Sequence, residues 1–333
     1  IRVEKLTIIV TARDKFSTTN RCLDTLLAHT PEPFDLFVVI GGAPNSCREE
    51  WMRRFGRAAH FIFRDQFLNQ SESRNIGLRA AKTRLAVLMD NDVYGRPNWM
   101  EALLQCERET GAVMVVPLIL ETQERIHTAG NDLYISYESG TAFGHKYLRF
   151  CGKPFYENTN LKRQPTDYGE LHCQLVQVEP TIRLDAFDEN LREVGEVDSG
   201  LIWAKAGHVM WFEPTAVVFY DKYAGIKRED IAFFAWRWDM HAILEGYRYF
   251  ERKWNIDITE SGLFQRFLVD MNSRLGMAAR AFPSDFGLAC DRWLGCLYQC
   301  VTFPHRQLNW WITKYMQRRF GYHQWPNSDR LSS

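Results

Sequence analysis

Two carboxylates two residues apart, in Asp90-Asn91-Asp92, follow directly on the apolar run Leu85 to Met89. A buried strand ending this way holds both acids at its mouth. There they suit a hard divalent cation, Mg²⁺ or Mn²⁺, whose other positions go to water and phosphate oxygens. The same residues would also serve as an Asx-rich turn capping the next helix, and the motif alone leaves these two readings level.

The elements that must position these acids are legible from periodicity. Short β-branched runs at Leu6 to Val10, Leu36 to Ile40, Ala59 to Phe63, Leu85 to Met89 and Ala112 to Val116 alternate with amphipathic stretches near 17–29, 46–55, 71–82 and 97–109. Such a series folds as βαβ units into a parallel sheet, with ligands bound at the carboxyl ends of its strands. The loops there are Thr11 to Asp14, Gly41 to Asn45, Arg64 to Gln70 and Asp90 to Tyr94. From about 121 to 175 the pattern is lost among Tyr, Phe, Gly and Asn, which predicts a loop-rich, mixed β region. A helix near 195–206, strands at Val209 to Phe212 and Ala216 to Tyr220, and mostly helix from Arg228 onward complete the expectation.

In four stretches the span from Leu6 to about Tyr220 resembles glycosyltransferase family 2, with its GT-A fold. These are LTIIVTARDK, then SESRNIGLRAAKTRLAVLMDNDVYGRPNWMEALL, then FDENLREVGEVDSGLIWAKAG, then HVMWFEPTAVVFY. The resemblance implies an α/β fold, Rossmann-like, with a mostly parallel central sheet and flanking helices. It implies a catalytic domain over 1–225, with a nucleotide-sugar part to about 120 and an acceptor part beyond; the mostly helical, aromatic-rich stretch over 226–333 lies past the family's motifs and reads as a helical C-terminal extension. The implied activity is inverting transfer of a sugar from a nucleotide-diphosphate donor to a glycan or lipid-linked acceptor, assisted by Mn²⁺ or Mg²⁺ on Asp90 and Asp92. Glu196 falls on the family's position for the general base, with Asp198 as competitor; both could equally be helix-start acids favoured by the macrodipole. Thr11, Ala12, Arg13, Gly41, Arg74, Asp90 and Asn91 are the implied donor-binding residues. The chain departs from the family where an acidic pair usually follows the second strand, here Ile40-Gly41-Gly42, and where a His usually completes the metal shell, here Tyr220 with Asp221 beside it. These departures sustain a rival expectation, a non-catalytic glycan or nucleotide-sugar binding protein on the same scaffold. His127 reads as a structural histidine and is not carried as a site residue.

Composition narrows the field. Lys plus Arg and Asp plus Glu both total 41 in 333 residues, without the basicity of a nucleic-acid binder. No apolar run approaches the 18 or so residues of a membrane span. Eight cysteines without a Cys-x-x-Cys pair read as reduced thiols of a cytoplasmic protein. Seven of the eleven tryptophans lie after Arg228, and Leu308, Trp311, Ile312 and Tyr315 share one helical face beside Lys314 and Arg318. That face predicts packing on the catalytic domain or a partner subunit, or peripheral contact with the inner membrane face.

Overall fold

The structure, a computed structural model, describes residues 5–30, 33–121, 125–138, 141–222 and 224–257. In chain order the elements are β1 (Leu6–Thr11), α1 (Thr19–His29), β2 (Phe34–Gly41), α2 (Asn45–Phe55), β3 (His60–Arg64), α3 (Gln70–Ala80), β4 (Leu85–Asp90), β5 (Val93–Gly95), α4 (Trp99–Thr110), β6 (Met114–Leu120), β7 (Ile126–Thr128), β8 (Asn131–Glu138), β9 (Thr141–Leu148), β10 (Gln164–Thr166), β11 (Cys173–Gln177), α5 (Val178–Arg183), α6 (Gly195–Lys205), β12 (Met210–Tyr220), α7 (Ile231–Arg237), α8 (Met240–Trp254) and β13 (Ile256–Asp257).

The described residues fall into two compact units, one from within 5–133 and 147–253, the other from within 134–146 and 254–257. The first therefore continues past residue 225 through α7 and most of α8. The main sheet has the order β10-β12-β6-β11-β4-β1-β2-β3, with β5 beside β12 and β7 beside β6. Its β3-β2-β1-β4 half is parallel, and β1, β4 and β6 are buried along their whole length, as apolar runs covered on both faces must be. Leu23, Trp51, Trp99 and Leu103 of α1, α2 and α4 pack on one face, and Leu78 of α3 and Trp203 of α6 on the other. Separately, β8, β9 and β13 form a three-stranded sheet in which Ile256 pairs with Ala142 in parallel. Among the described residues no helix is long and apolar enough to cross a membrane. The stripe Leu308, Trp311, Ile312 and Tyr315, with the other aromatic residues past 257, lies outside the described residues.

Two features depart from the expected series. The runs Val209 to Phe212 and Ala216 to Tyr220 are one strand, β12, whose register against β6 shifts between Glu213 and Val217. More consequential, β6 does not follow β4 directly. The short β11, from the region without periodicity, runs antiparallel between them, with Cys173 opposite Met89 and Leu175 opposite Val115.

Gly77 lets α3 sit close on β1: a Cβ there would stand 2.3 Å from Ile9 Cγ2. Overpacking of that kind costs up to about 3 kcal/mol, against about 1 kcal/mol gained by alanine in a helix. Gly77→Ala should therefore lose about 2 kcal/mol, read as a lower urea midpoint at constant slope. An unchanged midpoint would mean that α3 does not press on β1.

Candidate active site

The first turn of α3 is fixed by a capping box. The Asn69 side chain accepts from Glu72 N at 2.9 Å, and Asn69 N donates to Glu72 Oε2 at 2.7 Å. Gln70 and Arg74, one helical turn apart and so on one face, both reach Asp90 at the end of β4. Gln70 Nε2 lies 3.0 Å from each Asp90 oxygen, and Arg74 Nη2 lies 2.9 Å from Oδ1. The Arg74 and Asp90 side chains are both 0% exposed. Arg74 also donates to Leu171 O, so the one guanidinium holds β4 and the approach to β11 together.

The register of β11 supplies a residue that sequence reasoning missed. Cys173 opposes Met89, and Asp90 N donates to His172 O at 2.9 Å, so His172 falls beside Asp90, its Nδ1 3.3 Å from Oδ2. Asp90, Asp92 and His172 each offer one ligand atom, and these atoms all lie within 4.8 Å of one another. Asp92 is 1% exposed, and neither of its carboxylate oxygens has a hydrogen-bond partner among the described residues. Burial pushes its carboxyl up to about 7; Arg13 opposes the shift and Asp90 adds to it. Burial also raises Asp90, though Arg74 and Arg13 hold it back. An oxygen, oxygen and nitrogen set with an orphaned carboxylate fits a divalent cation.

The other sequence-predicted residues lie around this group. Thr11 ends β1 and pairs with Asp90, with Ala12 buried just beyond it. The Arg13 guanidinium lies 3.6 Å from Asp90 and donates to Tyr220 Oη at 2.5 Å. Asn91 is spent on this loop: its side chain accepts from Arg13 N and donates to Lys15 O and Thr19 Oγ1. Asp230 fastens the same loop from more than 200 residues further along the chain, accepting from Phe16 N, Ser17 N and Ser17 Oγ. Gly41 is a close approach, since a Cβ there would stand 2.4 Å from Gln66 O. Asp221, a candidate third ligand from sequence, has its carboxylate engaged by Arg21 at 2.9 Å and by Tyr94 Oη at 3.2 Å. Tyr220 is engaged by Arg13, and His172 takes the place beside the acids.

Glu196 and Asp198 start α6, as expected, and there they differ. The segment ahead of α6 is tied to α3: Asn75 Nδ2 donates to Phe187 O, and Asn69 Nδ2 to Glu189 O, both at 2.8 Å. Val194 enters the helix in the left-handed region, φ 58° and ψ 12°. Glu196 is 8% exposed and close enough to Arg74 to act on its charge. Asp198 is fully buried and binds Lys253 Nζ at 2.9 Å, while the same ammonium holds Asp188 at 2.8 Å.

The sequence profile of Glycosyl transferase family 2 matches residues 7–176, just over half of the chain. The chain belongs to glycosyl transferase family 2. Among solved structures, one described as GalNAc-T7 with UDP, GalNAc and Mn²⁺ superposes with a TM-score of 0.52 at 14% identity, over 82% of this chain and 58% of that one. The likeness is therefore one of fold, the GT-A fold, and this family 2 chain spans little more than half the length of that protein. A mannosyltransferase, PcManGT from Pyrobaculum calidifontis, in complex with GDP-Man and Mn²⁺, gives a TM-score of 0.48 at 13% identity, over 92% of this chain and 83% of that one. No match is found among the curated proteins.

The desolvated Asp92 of this family 2 site gives a pH test. An unfolded aspartate titrates near 4, and the folded one at about 7. Between these values the native state binds a proton that the unfolded state lacks. The stability Asp92 contributes is thus full below about pH 4 and is lost as pH rises through about 7. Metal-free wild type should melt progressively lower than Asp92→Asn as pH rises from about 5 to about 8, and Mn²⁺ should close the gap. A pH-independent difference between the two melts would show that Asp92 is not desolvated.

Proposed function

We propose that the chain transfers a sugar from a nucleotide-diphosphate donor to a glycan or lipid-linked acceptor, with inversion and with help from a divalent cation. The observation that carries this reading is Asp92, whose two buried oxygens have no hydrogen-bond partner among the described residues beside Asp90 and His172. Asp92 and His172 would hold the ion directly, with Asp90 oriented by Gln70 and Arg74. The imidazole makes Mn²⁺ the better fit than Mg²⁺. When bound, the ion supplies positive charge to the leaving diphosphate. GalNAc-T7, on the same fold, was solved with ligands of this class.

The remaining work falls to the chain itself. Thr11, Ala12 and Gly41, at the carboxyl ends of β1 and β2, line the expected place of the nucleoside. Arg13, raised well above the ordinary arginine value by Tyr220, Asp14, Asp90 and Asp92 against the cost of burial, stays charged and adds a cation for the diphosphate. Glu196 takes the acceptor proton. Asp198 is the weaker candidate, because a carboxylate bound to Lys253 is a poor proton acceptor and is committed to joining α6 to α8.

General-base assistance contributes about 10² to 10⁴ in rate. Glu196→Gln should lower single-turnover transfer by about that factor with donor affinity, measured by calorimetry, little changed. Asp198→Asn should act on stability instead, costing about 1 kcal/mol because Lys253 loses one of its two carboxylates and keeps Asp188, while transfer at a temperature where the variant is folded remains. A rate collapse in Asp198→Asn with normal transfer by Glu196→Gln would exchange the roles. Normal transfer by both would move the base elsewhere.

A further inference from the structure

A second group of ligating side chains adjoins the first and shares only His172 with it. His127, Glu170 and His172 each offer one ligand atom, and these atoms all lie within 4.8 Å of one another. We propose that these three residues form a second, nitrogen-rich metal site, for an ion of the Zn²⁺ class, which shares His172 with the aspartate pair and competes with the Mn²⁺ proposed there.

The topology brings the three together. β12 runs along one edge of β6 from Met114 to Leu120, so β11 and β7 share the other edge end to end. β11 pairs at Met114 and Val115, and β7 at Ile119 and Leu120, both antiparallel. The chain entering β11, with Glu170 and His172, therefore meets β7 with His127 over the middle of β6. The two imidazole rings stand 5.0 Å apart at 76°, and Tyr220 packs 4.0 Å from the His172 ring.

The surroundings of His127 match those of a metal-binding histidine. Its Nδ1 lies 2.7 Å from Glu121 Oε1, and that oxygen also accepts from Lys222 Nζ at 2.9 Å. A carboxylate kept ionised by a lysine can only accept, so Nδ1 carries a proton, and in the neutral imidazole Nε2 is then the nitrogen with the lone pair. A carboxylate behind the distal nitrogen is the usual way in which ligating histidines are oriented. His127 and His172 are 8% and 2% exposed and Glu170 is 9% exposed, so the group forms a pre-assembled, largely dry site. Two imidazoles and one carboxylate leave a fourth tetrahedral position open, the set that zinc takes in catalytic centres.

The two ligand sets contrast in kind. The aspartate pair with His172 is oxygen-rich and suits Mn²⁺; the histidine pair with Glu170 is nitrogen-rich and favours Zn²⁺ or Co²⁺. One imidazole serves one ion at a time, so an ion that recruits His172 to His127 and Glu170 removes it from Asp92.

Co²⁺, added to the chelator-stripped full chain, is the probe that separates the two sets. One equivalent should give the intense visible bands of a tetrahedral centre in wild type and equally in Asp92→Asn, and these should vanish in Glu170→Gln and in His127→Asn. Only the weak absorption of octahedral Co²⁺ in wild type would overturn the proposal, as would intense bands that survive in both variants. Because His127→Asn could disturb β7, near-UV circular dichroism accompanies it, and a second measurement uses Glu170→Gln alone. Zn²⁺ should release bound Mn²⁺ from wild type, seen as the returning free-ion resonance signal, at a concentration at least about 10-fold lower than from Glu170→Gln. Equal release from both would place Zn²⁺ on the aspartates and overturn the inference. Failure of wild type to bind Mn²⁺ would instead count against the Asp92 reading, with the Co²⁺ spectrum still deciding this one.

Discussion

Everything near the site depends on one fully buried ion pair, Arg74 with Asp90. A charge at that depth is tolerable only when paired and hydrogen-bonded, and removing one partner of such a pair costs about 3 to 5 kcal/mol. Asp90 therefore dictates its company: Gln70 and Arg74 from α3, Arg13 from the end of β1, and His172 from the entry to β11. Three separate chain segments are held against β4 by one carboxylate, and the capping box at Asn69 fixes the helix that supplies two of the donors.

Two aspartates two residues apart, both raised by burial, consequently differ in their partners. Asp90 has its charge answered within the fold, while Asp92, equally buried, has no donor among the described residues and is driven towards its neutral form. Intrinsic chemistry does not distinguish them; the neighbours do. The same holds for Glu196 and Asp198, alike at the start of α6 until Lys253 claims the second.

How much of this the sequence carried follows from how local each signal is. The alternation of apolar strands and amphipathic helices over the first 120 residues depends on neighbouring residues, and β1 to β4, with α1 to α4, appear where periodicity puts them, while the short β5 falls in the expected loop. The Asp90-Asn91-Asp92 turn is likewise local, sitting at the mouth of β4 as expected. His172 was not legible, because its place is set by β11 pairing with strands more than 50 residues earlier, and the five-residue run Cys173–Gln177 is too short to announce a strand. The only hint lay in Glu170-Leu171-His172-Cys173, where polar and apolar residues alternate. Lys253 and Arg237 were invisible for the same reason: Arg237 meets Glu193 at 2.6 Å across 44 residues, and nothing in the aromatic-rich stretch around it marks that partner.

Val194 brings a different kind of cost to the site. A β-branched residue in the left-handed region is conformationally unfavourable, by about 1 to 3 kcal/mol, and this one sits two residues ahead of Glu196 at the entry to α6. Glycine or asparagine would relieve that strain, so a directed-evolution campaign that selects only for heat resistance should find this position early. Such a gain would also widen the range of entry angles open to the helix that presents Glu196. Thermal robustness and catalytic competence would then be traded against each other at one backbone torsion, some distance along the chain from the carboxylates that bind the ion.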